Sequence, residues 1–255
     1  MKKKTCLITG GAGFLGKNFT NFFLKKNYKV ICVDINEENL NQLKSLKSKS
    51  LTTYKCNISN EEEVKKLFAK INKNLFVDVL INNAAIDAIP FKKNHVIQKF
   101  PTLDMWDKEL DASLKGSFLM IKYFGENMFK NKKGSIINIG SDLSVIAPNQ
   151  KIYQSSYSNY IKPVTYSVIK HGMVGLTKYF ASLYAEKNVR VNMVSPGPVK
   201  NKQKKELLKE IENLTPMRRL GNPENLCGLL YFLASDVSSY VTGQNILADG
   251  GKTII

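Results

Sequence analysis

Short runs of consecutive apolar residues alternate along this chain with longer stretches in which apolar residues return every three or four positions. Uninterrupted apolar runs suit strands buried on both faces, and the longer spacing suits amphipathic helices. Strands are predicted at 4–9, 29–33, 51–55, 76–81, 135–139, 189–194 and 244–248. Helices are predicted at 17–26, 37–47, 61–72 and 103–130, then through Tyr166 to Glu186, and at 200–213 and 223–235. Strand–helix alternation with uniformly apolar strands implies an α/β fold, its parallel sheet covered by helices on both faces. Two connections are long. The 86–101 stretch is polar and bounded by proline, and 141–166 is polar and carries Tyr153, Tyr157 and Tyr160. With no internal repeat, linker or low-complexity segment, residues 1–255 are expected to form one domain.

Composition narrows the classes. Hydrophobic residues at 43% and charged residues at 23% are ordinary for a soluble globular protein. No apolar run approaches the roughly 18 residues of a membrane span, so no membrane partner is expected. The apolar stretch after Met-Lys-Lys-Lys is too short for a signal peptide and is already shaped like a strand, so none is expected. Cys6, Cys32, Cys56 and Cys227 show no Cys-x-x-Cys spacing. They read as small buried hydrophobes in a reducing cytoplasm, and no metal site is expected. The formal charge of +17 is almost all lysine, with Arg190, Arg218 and Arg219 the only arginines. These lysines are dispersed, with no stacking aromatics in register, so the charge does not make a nucleic-acid footprint.

Two constellations carry chemistry. The first strand runs into Gly10-Gly11-Ala12-Gly13-Phe14-Leu15-Gly16 and then a helix. Glycines let the backbone approach a pyrophosphate, whose charge meets the helix N-terminus. The second strand ends in Asp34, which can accept from ribose hydroxyls and would repel a 2′-phosphate. The expected cofactor is therefore NAD rather than NADP. Further along, Tyr166 and Lys170 lie one helical turn apart, and of the 11 tyrosines only Tyr166 has a lysine four residues later. A cation there favours the phenolate and moves a phenol toward the working range of proton transfer.

Taken in order, these residues resemble those of a short-chain dehydrogenase/reductase of the classical length. The matching positions are Thr9 to Gly16, Asn82-Asn83-Ala84-Ala85, Ser141, Tyr166-x-x-x-Lys170, Pro196-Gly197, and Tyr240-Val241-Thr242-Gly243-Gln244 with Asp249-Gly250-Gly251. The resemblance implies a single-domain Rossmann fold, a doubly wound sheet of seven parallel strands, assembled as a homodimer or homotetramer. It implies that Tyr166 is the general acid/base and that Ser141 hydrogen-bonds the substrate oxygen. Lys170 would hold the nicotinamide ribose. By the same resemblance the cofactor meets Gly10, Gly13, Phe14, Leu15, Gly16, Asp34, Asn57, Ile58, Asn83, Ala84, Ala85, Pro196, Gly197 and Val199. Asn57 stands where the family usually has Asp near the adenine, and its amide oxygen can still accept.

Three departures accompany the match. The glycine spacing is that of the extended branch, which holds nucleotide-sugar epimerases and dehydratases, while the short C-terminal region lacks that branch's substrate domain. The helix asparagine that supports a water beside the catalytic lysine is replaced by Ser113. The stretch between Ser141 and Tyr166 is longer than usual, which makes 142–165 a substrate loop and 198–215 a lid segment. Lys151, Lys162, Lys200, Lys202, Lys204 and Lys205 in these segments suit an anionic substrate. Residues 141–150 also resemble a bacterial subgroup of flagellin and surface-polysaccharide modification, including nonulosonic (legionaminic) acid pathways. The expected function is an NAD-dependent oxidoreductase acting on a phosphorylated or nucleotide-linked amino sugar. An epimerase or dehydratase using NAD transiently, and a non-catalytic NAD-binding regulatory protein, remain the alternatives.

Overall fold

The computed structural model describes residues 3–86, 100–156 and 160–255. Its first half repeats strand and helix: β1 Thr5–Thr9, α1 Phe14–Lys25, β2 Lys29–Asp34, α2 Glu37–Lys44, β3 Leu51–Lys55, α3 Glu61–Asn72 and β4 Val79–Asn82. A long helical rod follows, made of α4 Leu103–Leu110, a π turn Asp111–Lys115, α5 Gly116–Met120, a second π turn Ile121–Gly125 and α6 Glu126–Lys130. Then come β5 Gly134–Ile139, α7 Gln150–Ser156, α8 Val164–Tyr184, β6 Val189–Pro196, α9 Lys205–Asn213, α10 Pro223–Ala234 and β7 Asn245–Ala248.

The seven strands form one sheet in the order β3-β2-β1-β4-β5-β6-β7, and every pair is parallel. Successive side chains of a strand point to opposite faces, and the two cores follow from that. Leu7, Ile31, Leu80, Ile136 and Val191 pack against Val64 and Leu67 of α3, Phe124 of the rod and Phe180 of α8. On the other face, Ile8, Val30, Ile81 and Ile137 meet Phe19 and Phe23 of α1 and Leu226 and Leu230 of α10. Each fully buried side chain of this kind stabilises by about 2 kcal/mol relative to exposure. Chain order reverses between β1 and β4, and a crevice opens there at the carboxyl ends of the strands.

Helix ends are set by local chemistry. Asn36 and Asn60 cap α2 and α3 by accepting from the Asn39 and Glu63 backbone N–H groups. By contrast α1 starts after Gly13 with no side-chain cap, so its first N–H groups stay available at the crevice. All four cysteines are buried and free. Among the described residues, no helix is long and apolar enough to cross a membrane.

Several bounds differ from the sequence pattern. The helix predicted at 103–130 is interrupted by two π turns, each inserting a wide i→i+5 turn that a 3.6-residue period cannot register. The polar 141–166 stretch contains a helix, α7. The helix predicted from 200 starts only at Lys205, because Gln203 binds the Asn201 N–H (2.6 Å) and the Val199 carbonyl (2.8 Å) and holds a non-helical turn. Tyr157 and most of the 86–101 connection lie outside the described residues.

Candidate active site

Strand ends and the start of α8 deliver the candidate residues. Ser141 stands two residues past β5, and Tyr166 and Lys170 occupy the first two turns of α8. The Lys170 side chain is only 6% exposed at residue level, and its Nζ donates to the carbonyl of Ile139, the last residue of β5 (3.1 Å). Nζ also lies 5.5 Å from the centroid of the Tyr166 ring. Ser141 and Tyr166 line one cleft of about 230 Å³ together with Phe14, Leu15, Pro196, Gly197 and Val199. Residues scattered from position 14 to 199 are thus brought to one place, as their sequence order implies.

α8 is positioned by buried polar contacts that sequence reading misses. Asn82 of β4 donates to Asn138 of β5 (2.9 Å), Asn138 donates to Thr177 of α8 (2.9 Å), and Thr177 bonds the Met173 carbonyl. At the start of the helix the Thr165 hydroxyl donates to Glu109 of α4, next to Tyr166. Only the burial of these groups marks them as paired. In the sequence, an Asn at a strand end and a Thr inside a helix give no such signal.

Ser141 is held from two sides. Its hydroxyl donates to the Asp142 carboxylate (2.8 Å) and accepts from the Leu143 N–H (3.2 Å). Asp142, itself buried, forms an ion pair with Lys252 from the C-terminal turn. Neither Asp142 nor Lys252 is legible as a partner in the sequence, because 110 positions separate them. The C-terminal turn reaches the site because Gly197 leaves room for it. A Cβ there would sit 2.6 Å from the Asp249 Cα.

The glycine loop is built around close backbone approach. A Cβ on Gly16 would fall 2.0 Å from the Gly10 carbonyl oxygen, so no other residue fits. Asn83 donates to the Thr9 and Gly10 carbonyls (3.1 and 3.0 Å), while the Thr9 hydroxyl accepts from the Asn83 and Ala84 N–H groups. Asn83 therefore braces the loop from β4. The Asp34 carboxylate accepts from the Ala12 N–H (3.1 Å) and the Asn36 N–H (3.0 Å), which fixes it at the end of β2 beside the loop. Burial, with the Asp34 charge close by, pushes the Cys32 thiol beneath the loop up to about 12, so it stays neutral. An uncapped helix start, a tight glycine turn and a fixed carboxylate make a cradle that fits a dinucleotide.

Three expectations need correction or refinement. The Asn57 oxygen, expected to accept near an adenine, already accepts from the Ser59 N–H (3.1 Å) and hydroxyl (2.6 Å), which fills its two lone pairs. The Ile58 side chain packs in the core against Gly116 of the rod, so only its backbone can face a cofactor. Lys200, Lys202 and Lys204 do not line the cleft; Lys162 and Lys252 do. Ser113 falls in the first π turn, 4% exposed, and its hydroxyl has no hydrogen-bond partner among the described residues. That turn packs on α8 through Leu110 and Leu114, which meet Ile169 and Met173.

Known proteins match this chain along nearly its whole length. Residues 13–253 match the family model described as enoyl-(acyl carrier protein) reductase. The chain is 34% identical to a 3-oxoacyl-acyl-carrier-protein reductase of Thermotoga maritima, over 100% of this chain and 99% of the relative. It is 30% identical to an NAD-dependent glycerol dehydrogenase of Listeria innocua, over 98% and 94%. A solved short-chain dehydrogenase from Leptospira borgpetersenii with bound NAD+ superposes with a TM-score of 0.88 at 33% identity, covering 99% of this chain and 94% of that one.

Proposed function

The chain belongs to the classical short-chain dehydrogenase/reductase family, and we propose that it is an NAD-dependent oxidoreductase that interconverts a secondary alcohol and a ketone. The observation that carries this reading is the convergence of Ser141 and Tyr166 on one cleft, with the Lys170 ammonium beside the Tyr166 ring. In it Tyr166 takes the hydroxyl proton of the alcohol, or gives one to the ketone oxygen. The Ser141 hydroxyl binds that same oxygen and steadies the charge developing on it. Doing so requires the hydroxyl to turn from Asp142, whose charge Lys252 already balances. Lys170 favours the phenolate electrostatically and reaches the nicotinamide ribose. The buried Ser113 hydroxyl supports a water in the proton path behind Lys170.

The cofactor is held by the α1 N-terminus and the Gly10–Gly16 turn, by Asp34 at the adenosine ribose and by Ala84 and Ala85. The Val199 backbone takes the carboxamide. When bound, the nicotinamide supplies or accepts the hydride. A fixed carboxylate at Asp34 disfavours a 2′-phosphate and supports NAD over NADP. Exposed Phe118, Tyr179 and Leu183 on the rod and α8 support assembly as a homodimer or homotetramer through these helices.

For the substrate we infer an anion, with Lys162 in the cleft as the supporting feature. A phosphorylated or nucleotide-linked amino sugar, as in surface-glycan or flagellin modification, is one form of it. A 3-oxoacyl thioester is the second, favoured by the full-length similarity to the Thermotoga reductase. Nicotinamide absorbance read with NAD and a panel of anionic amino sugars, and with NADH and acetoacetyl-coenzyme A, separates the two. Turnover of an amino sugar and not of its neutral analogue is the expected result. Turnover confined to acetoacetyl-coenzyme A overturns the sugar reading. Conversion of a sugar without net absorbance change would instead mean an epimerase or dehydratase.

A further inference from the structure

Two lysines stand at the ring of Tyr166. Lys170 comes from its own helix, one turn on. Lys162 comes from the segment just before that helix, and its Nζ is the closer, 3.9 Å from the ring centroid against 5.5 Å for Lys170. Lys162 is only 8% exposed. A buried ammonium is costly unless compensated, and the negative face of an aromatic ring is one compensation.

The chain around Lys162 fixes its position. Gln150, the first residue of α7, brackets the Lys162 peptide with its carboxamide: Oε1 accepts from the N–H (2.9 Å) and Nε2 donates to the carbonyl (3.1 Å). Tyr160, buried two residues earlier, packs on Tyr153 with Ile152, Leu207 and Ile211. Pro163 then starts α8 in extended backbone, and Tyr166 follows within its first turn. The extra length between Ser141 and Tyr166 therefore folds so that its last residues set a cation on the tyrosine's face.

We propose that Lys162 is a positioning residue for proton transfer, a second cation that favours the Tyr166 phenolate from the ring face. The proposal rests on Tyr166 being the proton-transfer group. Ionised phenol spreads negative charge into its ring, so a cation over that face binds the phenolate more strongly than the phenol. Among the described residues, the other groups near Tyr166 do not make this contribution redundant. Lys170 acts from α8, and Asp142 and Lys252 near Ser141 largely cancel each other as an ion pair. Tyr153 and Tyr160 share the cleft. The buried Glu109 carboxylate of α4, hydrogen-bonded by Thr165, disfavours a phenolate at the next residue, and Lys162 offsets it.

The titration that tests Lys162 needs neither substrate nor cofactor. Tyrosinate absorbance in the near ultraviolet is titrated for the full chain and for Tyr166→Phe, and the difference isolates Tyr166. The same difference is taken in Lys162→Met, Lys162→Arg and Gln150→Ala backgrounds. In Lys162→Met the Tyr166 midpoint is expected to rise by about one pH unit, a tenfold loss of phenolate at a given pH. Lys162→Arg should keep the wild-type midpoint. Gln150→Ala, which removes no charge, should raise it less, and it serves as the test if Lys162→Met does not fold. An unmoved or lowered midpoint in Lys162→Met, or in Gln150→Ala where that stands in for it, overturns the proposal, even if KM for an anionic substrate changes. Retained turnover in Tyr166→Phe would overturn the acid/base reading itself, whatever Lys162 does.

Discussion

At the scale of single residues, the chemistry is concentrated in groups whose meaning depends on one neighbour. The Tyr166–Lys170 pair is visible from its spacing, because four residues make one helical turn, but it takes its meaning from the motifs around it. Asp34 is legible from its place at the end of a strand beside a glycine turn, and the structure fixes its carboxylate there through the Ala12 and Asn36 N–H groups. If that carboxylate selects the cofactor, Asp34→Ala should narrow the preference for NAD over NADP by about tenfold or more, since one charge–charge contact of about 1.4 kcal/mol is a factor of ten. Affinities of both cofactors, read by quenching of protein fluorescence, check this, and an unchanged ratio would remove Asp34 from the ribose. The Asp142–Lys252 pair and the Glu109–Thr165 contact were not legible, because a side-chain pair formed across 110 or 56 positions leaves no trace in local pattern. Asn57 shows the opposite failure. Its residue type suited an adenine contact, and its own turn consumed the oxygen.

At the scale of elements, apolar periodicity located every strand of the sheet, since strands buried on both faces are apolar throughout. It did not locate α7 within the polar stretch, because among the described side chains of that helix Ile152 is the one that is buried. Nor could it reveal the π turns in the rod. The first of these places Ser113 in the interior, its hydroxyl without a hydrogen-bond partner among the described residues. An unpaired buried hydroxyl costs stability, so its presence calls for a use. Ser113→Ala is expected to leave thermal stability unchanged or raise it by up to about 1 kcal/mol while lowering turnover several-fold. Loss of stability with full turnover would make Ser113 a packing residue and nothing more.

At the scale of the whole molecule, seven parallel strands with a reversal between β1 and β4 bring the glycine turn, Asp34, Ser141 and the start of α8 to one edge. The fold and the family were readable from the order of motifs, because each motif sits at a strand end that the sheet gathers to that edge. The substrate was not, because the course of the 141–166 and 198–215 segments, proposed to face it, follows from side-chain clamps such as Gln150 and Gln203. The +17 charge gave no guide either, since lysines outside the cleft far outnumber those within it. The proposed function turns on a phenol at position 166 moving the proton. Steady-state turnover of Tyr166→Phe, followed by nicotinamide absorbance with any substrate the wild type accepts, measures this directly. A fall of about a hundred- to ten-thousand-fold is predicted, the usual worth of a general acid/base. Turnover within a few-fold of wild type would contradict it.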